Sequence, residues 1–337
     1  MSERLVYLTT LDLPADWLAR LAERCPDVEV RQHVCADADE IDDAAWAEVD
    51  VLHTSSVVPP EGRAPRLRWV QLDTSGADHL AGTDLWRSAT PVTTLGGIAP
   101  VPMAEFTVMS LLALAHHQPL VDRLRRERRW PSAAERLATL TPLPVDGATC
   151  TILGYGRIGR EIARVLRTLG MHVVGVSRTG APADAEHFDT GRSTGPDTTE
   201  LRRVDELADV LPRTDYLVVT VPRTAQTLGL VGAEELALLP RGACLVNVAR
   251  GGIVAEDAVR GALAQGRLRY VALDVFDDEP LPADSPWWEA DGVLVTPHVA
   301  GLAPRYADQV LDLVVENLAR LRAGTPLLNR VDRAAGY

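Results

Sequence analysis

Apolar positions recur along the chain with two periods. Short alternating or crowded apolar runs, "RLVYLTT", "VEV", "DVLHTS", "LRWVQLD" and "PVTTL", predict strands through the N-terminal part. Between them lie segments such as "PADWLARLAERC", whose apolar residues return every three or four positions, the spacing of one helix face. Strands alternating with helices at this spacing predict a parallel sheet covered on both faces. The pattern breaks at "GGIAPVP", where Gly96, Gly97, Pro100 and Pro102 are expected to prevent regular structure just ahead of an apolar helix from Met103 onward. A second break, "TPHVAGLAP", precedes the helical segment "RYADQVLDLVVENLARLRAG". Two such crossings predict two lobes with a hinge. The least patterned stretch, "GAPADAEHFDTGRSTGPDTTE", reads as a surface loop.

Composition narrows the classes available. A chain of 337 residues is long for one core, so two α/β domains are expected. Apolar residues at 46% and charged residues at 24% have the balance of a soluble globular protein. The net charge of −13 argues against nucleic-acid or anionic-membrane partners, though not against a local basic pocket. All 34 positive residues are Arg, which excludes a Schiff-base lysine and a Walker-type phosphate loop. Cys25, Cys35, Cys150 and Cys244 form no C-x-x-C pair and only Cys35 has a close histidine, His33, so reduced thiols and no metal site are expected. The start, "MSERLVYLTT", lacks the apolar core of a signal peptide, and the longest apolar stretch, around "TVMSLLALA", falls well short of the roughly 20 residues that span a bilayer. A cytoplasmic location is expected.

One stretch carries specific chemistry. In "TCTILGYGRIGREIARVLRTLGMHVVGVSRTG" a strand ends at Leu153, Gly154, Gly156 and Gly159 follow, and a helix begins with apolar Ile158, Ile162, Val165, Leu166 and Leu169. G-x-G-x-x-G gains its meaning from that setting: the first glycine makes the turn, the second admits a pyrophosphate and the third lets helix meet strand. The helix N-terminus then offers N–H groups to the anion. At the end of the next strand an NAD site places an acid on the ribose hydroxyls, but here stand Ser177, Arg178 and Thr179. A guanidinium attracts the 2′-phosphate that an acid would repel, so NADP(H) is the preferred cofactor, with NAD(H) as the alternative if Arg178 is only a solvated cation.

Three later stretches, "LVNVARGGIV", "VALDVFDDEP" and "VLVTPHVAG", each contain a strand-like run followed by a polar residue. Ligands gather at strand carboxyl ends in open α/β sheets, so Arg250, Asp274, Glu279 and His298 are candidates for one crevice. Taken with the glycine motif, "TSGADHL" at 74–80 and "MAEF" at 103–106, this set closely resembles the D-isomer-specific 2-hydroxyacid dehydrogenase family over nearly the whole chain. The resemblance implies an α/β fold of two doubly wound parallel-sheet domains. A flavodoxin-like substrate domain, 1–99 and 302–337, would be interrupted by a Rossmann cofactor domain, 100–301. It implies that Arg250 binds the 2-oxo acid, that Glu279 and His298 form an acid/base pair, and that the backbone of Ser75 and Gly76 holds the substrate carboxylate. Cofactor contacts would come from Gly154, Tyr155, Gly156, Arg157, Ile158, Gly159, Ser177, Arg178, Thr179, Pro222, Ala249 and Asp274, the last near the nicotinamide carboxamide.

The chemistry agrees with those roles. Hydride addition to a ketone leaves charge on oxygen, so a cation must polarise the carbonyl and an acid must deliver a proton. Ser177 departs from the family's acid position, as in members similar to NADPH-preferring glyoxylate and hydroxypyruvate reductases. The expected activity is reduction of a small 2-oxo acid to the D-2-hydroxy acid. The helix from Met103 and "RLRRERRW" resemble the family's dimer-forming region, so a homodimer is expected. Trp287, Trp288, Trp46 and the "HTSS" loop are candidate pocket walls. The competing class is a dinucleotide-sensing corepressor, which would bind cofactor tightly without turnover.

Overall fold

Two parallel sheets organise the chain, built where the apolar runs predicted strands. The computed structural model describes residues 4–181, 199–303 and 305–336. The chain divides into two compact units, one reaching Ala99 and resuming at Ala303, the other running from Pro100 to Leu302. Most of the expected surface loop lies outside the described residues.

In the first unit, β1 (Leu5–Thr9), β2 (Val28–Gln32), β3 (Val51–Thr54), β4 (Trp69–Leu72) and β5 (Val92–Thr93) form one sheet in the order β2-β1-β3-β4-β5. Every neighbouring pair is parallel. Side chains alternate between faces along a strand, which explains why the sheet has two separate cores. Leu5, Tyr7, Val51 and Trp69 pack with Trp17, Leu21, Leu311 and Val314, whereas Leu8, Leu52, Val70 and Leu72 pack with Ile41, Trp46 and Leu80. The helix Tyr306–Ala323 belongs to this unit: the Trp17 indole donates to the Ala307 carbonyl at 2.9 Å, and Arg20 pairs with Asp308 at 2.8 Å. It ends at Gly324, whose φ of 66° is the left-handed cap that glycine adopts without a Cβ penalty.

In the second unit, β6 (Thr149–Leu153), β7 (His172–Ser177), β8 (Glu200–Arg203), β9 (Tyr216–Val219), β10 (Ala243–Asn247), β11 (Leu268–Leu273) and β12 (Val293–Val295) are ordered β12-β11-β10-β9-β6-β7-β8. All pairs are parallel. The central β9 and β10 are buried throughout, which is why they read as unbroken apolar runs, while the edge strand β8 is the polar "ELRR". Both units are therefore doubly wound α/β folds.

The helix Pro100–Ala115 begins three residues before the expected start. Its prolines fall in the first turn, where no N–H has an intrahelical acceptor to lose, so they start the helix instead of delaying it. Ala104, Val108, Leu111 and Leu114 then pack in one core with Ile162, Ala163 and Leu166 of the helix Arg157–Thr168.

Strand order reverses at β6, with β7 and β8 to one side and β9 to β12 to the other, and the glycine loop stands at that switch point. Gly154 has a φ of 109°, and a side chain there would strike Thr220 and the Val221 amide. A Cβ on Gly159 would fall inside the shell of the Gly154 carbonyl oxygen. Around Gly156 the same position is open space. Two glycines are thus filled by the protein itself and the middle one leaves room. None of the described helices is long and apolar enough to cross a membrane. We expect Gly159→Ala to push helix from strand, at about 1 to 3 kcal/mol for overpacking. A urea midpoint and a dinucleotide affinity equal to those of the unaltered protein would reject this account of the loop.

Candidate active site

Three neighbouring strands deliver the chemistry. β10, β11 and β12 run parallel and adjacent, so their carboxyl ends lie along one edge of the second sheet. Arg250 follows β10, Asp274 follows β11 and His298 follows β12. Glu279 lies in the loop after Asp274.

Asp274 is only 2% exposed, and its carboxylate is surrounded by donors from the loop after β12. Oδ1 accepts from the Thr296 hydroxyl at 2.7 Å and the Val299 amide at 2.9 Å, and Oδ2 accepts from the Ala300 amide at 2.9 Å. Between those donors lies His298, whose φ of 53° is left-handed. That conformation costs a side-chain-bearing residue about 1 to 2 kcal/mol, so it persists only where neighbours enforce it. The buried carboxylate enforces it here. Asp274, expected near the nicotinamide carboxamide, thus also braces the loop that presents His298.

The imidazole so presented meets a carboxylate. His298 Nδ1 lies 2.7 Å from Glu279 Oε2, while Glu279 Oε1 accepts the Phe276 amide at 2.9 Å. An ionised carboxylate can only accept, so the ring donates from Nδ1 and leaves Nε2 for a substrate. The His298 side chain is 43% exposed, so Nε2 chemistry is open to small molecules.

Arg250 is half-buried, and its Nη1 donates to the Ala249 carbonyl at 2.8 Å. The turn after it is locked to the loop of Glu279. A Cβ on Gly251 would overlap the Phe276 carbonyl, and the Gly252 amide donates to Asp277 Oδ1 at 2.6 Å. Glu256 completes the lashing: one oxygen accepts the Asp277 amide at 2.8 Å and the other the Trp287 indole at 2.6 Å. Burial, and then the Glu256 charge, pushes the Asp277 carboxyl up. Sequence reading missed Glu256, which belongs to no motif, and passed over Asp277 within "VALDVFDDEP", because the partners of both are distant in the chain.

The cofactor candidates divide into three groups. The helix Arg157–Thr168 starts at Gly156 with no side-chain cap, leaving its first N–H groups to a ligand, and with the open space at Gly156 this suits a pyrophosphate. Arg157 and Ile158 are half-buried in its first turn. Tyr155 has its side chain buried against Gly175, and its amide donates to the Val176 carbonyl at 3.1 Å. Ser177 ends β7, with Arg178 and Thr179 exposed after it. Pro222 is exposed, and its carbonyl accepts from Thr227 at 2.7 Å, while Ala249 is buried. Thr220, missed by sequence reading, donates to the Gly154 carbonyl at 2.7 Å and pins the glycine turn.

Ser75 and Gly76 lie in the first unit, in the turn after β4, Ser75 exposed and Gly76 half-buried. Two of the candidate pocket walls are corrected, and one residue of a third is taken out. Trp46 and Trp287 are core side chains, each spending its indole N–H inside its own unit, on the Ala38 carbonyl and on Glu256. His53 of the "HTSS" loop is fully buried. Trp288, about half exposed, and Ser56 of that loop keep surface positions.

Hydride exchange at a carbonyl carbon requires a dinucleotide crevice, a proton donor and a fixed cation. The second unit supplies all three, which is the equipment of a nicotinamide-dependent dehydrogenase. Comparison with known proteins narrows that class. Residues 108–300 match the D-isomer specific 2-hydroxyacid dehydrogenase, NAD binding domain, family. The glyoxylate reductase of Korarchaeum cryptofilum is 30% identical over 261 residues, 77% of this chain and 75% of that protein. Among solved structures, a D-isomer specific 2-hydroxyacid dehydrogenase from Xanthobacter autotrophicus Py2, in complex with NADPH and MES, is 33% identical with a TM-score of 0.79, and the match covers 100% of both chains. The NADPH-dependent glyoxylate/hydroxypyruvate reductase from Sinorhizobium meliloti, in complex with NADP and sulfate, is 26% identical over 99% of this chain and 100% of that one, with a TM-score of 0.77. The chain belongs to the D-isomer specific 2-hydroxyacid dehydrogenase family and is a 2-hydroxyacid dehydrogenase.

In Asp274→Asn an amide N–H₂ must face one of the loop's donors, at about 1 to 3 kcal/mol for a buried unpaired group. We expect a lower denaturation midpoint, and a kcat reduced on the order of tenfold or more as His298 loses its fixed position. A variant matching the unaltered protein in both would show that another interaction holds the loop.

Proposed function

We propose that the protein reduces glyoxylate to glycolate and hydroxypyruvate to D-glycerate, with NADPH preferred to NADH. The observation that carries this reading is the Glu279–His298 pair at 2.7 Å, on strand ends that also bear Arg250. A reduced nicotinamide bound at the glycine loop would supply the hydride. The chain's own residues do the remainder. Arg250 holds the carbonyl and carboxylate oxygens with its planar fork and draws charge onto the carbonyl. His298 delivers the proton to that oxygen from Nε2, and Glu279 orients the ring and stabilises the imidazolium. The amides of Ser75 and Gly76 bind the substrate carboxylate.

Support for NADPH comes from the end of β7, where Ser177, Arg178 and Thr179 stand in place of an acid, and from the relatives described above with NADPH or NADP. Support for small oxo acids comes from the relatives named for glyoxylate and hydroxypyruvate. The protein also forms a homodimer in this reading, through the helices between Pro100 and Thr139, where Met109, Trp130 and Leu137 are exposed. A monomeric mass in solution would reject that assembly.

The experiment is a steady-state panel of glyoxylate, hydroxypyruvate, pyruvate and phenylpyruvate with each cofactor. A preference for pyruvate or phenylpyruvate would reject the substrate assignment. His298→Asn should lose kcat by about 10² to 10⁴ while still binding NADPH, the scale of a lost general acid. Near-normal turnover would remove His298 from the chemistry. For the cofactor, Arg178→Ala should lower the NADPH to NADH ratio of kcat/KM on the order of tenfold to a hundredfold, equivalent to a charge-assisted bond of ~1.5 to 3 kcal/mol. An unchanged ratio would return Arg178 to the role of a solvated cation.

A further inference from the structure

The first unit buries an ionisable relay that the reaction described above does not use. Tyr7 on β1 and His53 on β3 are both 0% exposed. Tyr7 Oη lies 2.6 Å from His53 Nδ1, and His53 Nε2 lies 3.5 Å from a carboxylate oxygen of Asp73, the residue after β4. Trp17 and Tyr7 pack about the imidazole, each with its ring centroid 6.0 Å away. Burial, with the Asp73 charge adding to it, holds the Tyr7 phenol well above its ordinary range, so Tyr7 keeps its proton; the Asp73 carboxylate across Nε2 favours the tautomer with its hydrogen there, which leaves Nδ1 to accept from the phenol. The ring hydrogen is then on Nε2. That atom is buried, makes no hydrogen bond among the described residues, and faces the Asp73 carboxylate. A polar imidazole in such a core costs free energy that an apolar ring of the same size would avoid.

What the relay touches is the turn Asp73–Thr74–Ser75–Gly76. The Asp73 amide donates to the Thr54 carbonyl at 2.9 Å. The three carbonyls next to the Ser75 and Gly76 positions are occupied from the unit's own side: Asp73 by the Tyr306 hydroxyl at 3.4 Å, Thr74 by the Leu95 amide at 2.9 Å and Gly76 by the Thr74 hydroxyl at 2.6 Å. In a trans peptide, C=O and N–H point opposite ways, so tying the Thr74 carbonyl to Leu95 turns the Ser75 N–H the other way. The turn lies beyond the carboxyl ends of β1, β3 and β4, and strand order reverses between β1 and β3, where such folds take ligands. An anion-binding turn that begins with an aspartate has a difficulty, because the carboxylate would repel the anion.

We propose that Tyr7 and His53 are positioning residues that hold the Asp73 carboxylate back toward the core, so that the turn's amides can accept the substrate's carboxylate. This rests on the reading of Ser75 and Gly76 as that carboxylate's site. The phenol and the carboxylate together favour one tautomer, the imidazole presents Nε2–H to Asp73, and the negative charge is kept off the donor face of the turn.

The test is steady-state kinetics of the full chain with glyoxylate and NADPH, with circular dichroism to check folding. His53→Phe, which keeps the ring and removes the donor, should raise the KM for glyoxylate about fivefold to tenfold, the size of one like charge at a partly solvated distance. The KM for NADPH should stay in place, and kcat should change far less than the KM for glyoxylate. Adding Asp73→Asn to His53→Phe should bring the glyoxylate KM back, since the neutral amide no longer repels; damage to the core alone would not be mended by a surface-turn amide. Tyr7→Phe removes a single oxygen and carries the test if His53→Phe does not fold, with a rise in the same KM expected. An unchanged glyoxylate KM in the folded variants, or a raised KM that Asp73→Asn fails to restore, overturns the proposal. Ser75→Pro, which deletes one amide donor, separates the two readings. If it leaves the glyoxylate KM alone, the carboxylate site itself is wrong; if it raises that KM while His53→Phe and Tyr7→Phe do not, only the relay is wrong.

Discussion

The geometry of the second unit's site depends on one buried negative charge. A carboxylate inside a protein must be surrounded by donors, and Asp274 finds them in Thr296, Val299 and Ala300, on either side of His298. The requirement works in both directions. The charge is tolerable only if the loop closes around it, and the loop closes in a left-handed turn that an unassisted histidine would avoid. Once the turn is fixed, the imidazole meets Glu279 on its Nδ1 side. The Glu279–His298 contact therefore follows from satisfying the Asp274 carboxylate.

The glycine loop shows a similar division between support and function. Gly154 and Gly159 are required by the protein's own atoms, whereas the space beside Gly156 is left open. The motif thus contains two packing constraints and one vacancy. Tyr155 belongs with the packing, since its ring closes over Gly175 on the neighbouring strand.

Much of this was legible in the sequence, and the reason differs from place to place. The strands were readable because buried parallel strands are unbroken apolar runs, and the glycine loop because its spacing, strand and helix occur together. Arg250, Glu279 and His298 drew attention because each follows such a run, and the structure brings Glu279 and His298 into contact. The start of the helix at Pro100 was misread because proline was weighed as a breaker, when its position within the first turn decides its effect. Trp46 and Trp287 were offered as pocket walls because a tryptophan's sequence neighbours do not say which face it turns to. Glu256, Asp277 and the His53 relay were invisible for a stricter reason: each acts through a partner that only the tertiary fold brings near.

The contact between Gly251 and the Phe276 carbonyl has a consequence for how such an enzyme can change. Backbone lies directly on backbone there, so position 251 has no room for any side chain, and the two loops it joins cannot drift apart one substitution at a time. A lineage exploring new substrates inherits the arginine turn and the glutamate loop as one fixed part. Novelty has to be written elsewhere, into residues whose side chains face open space.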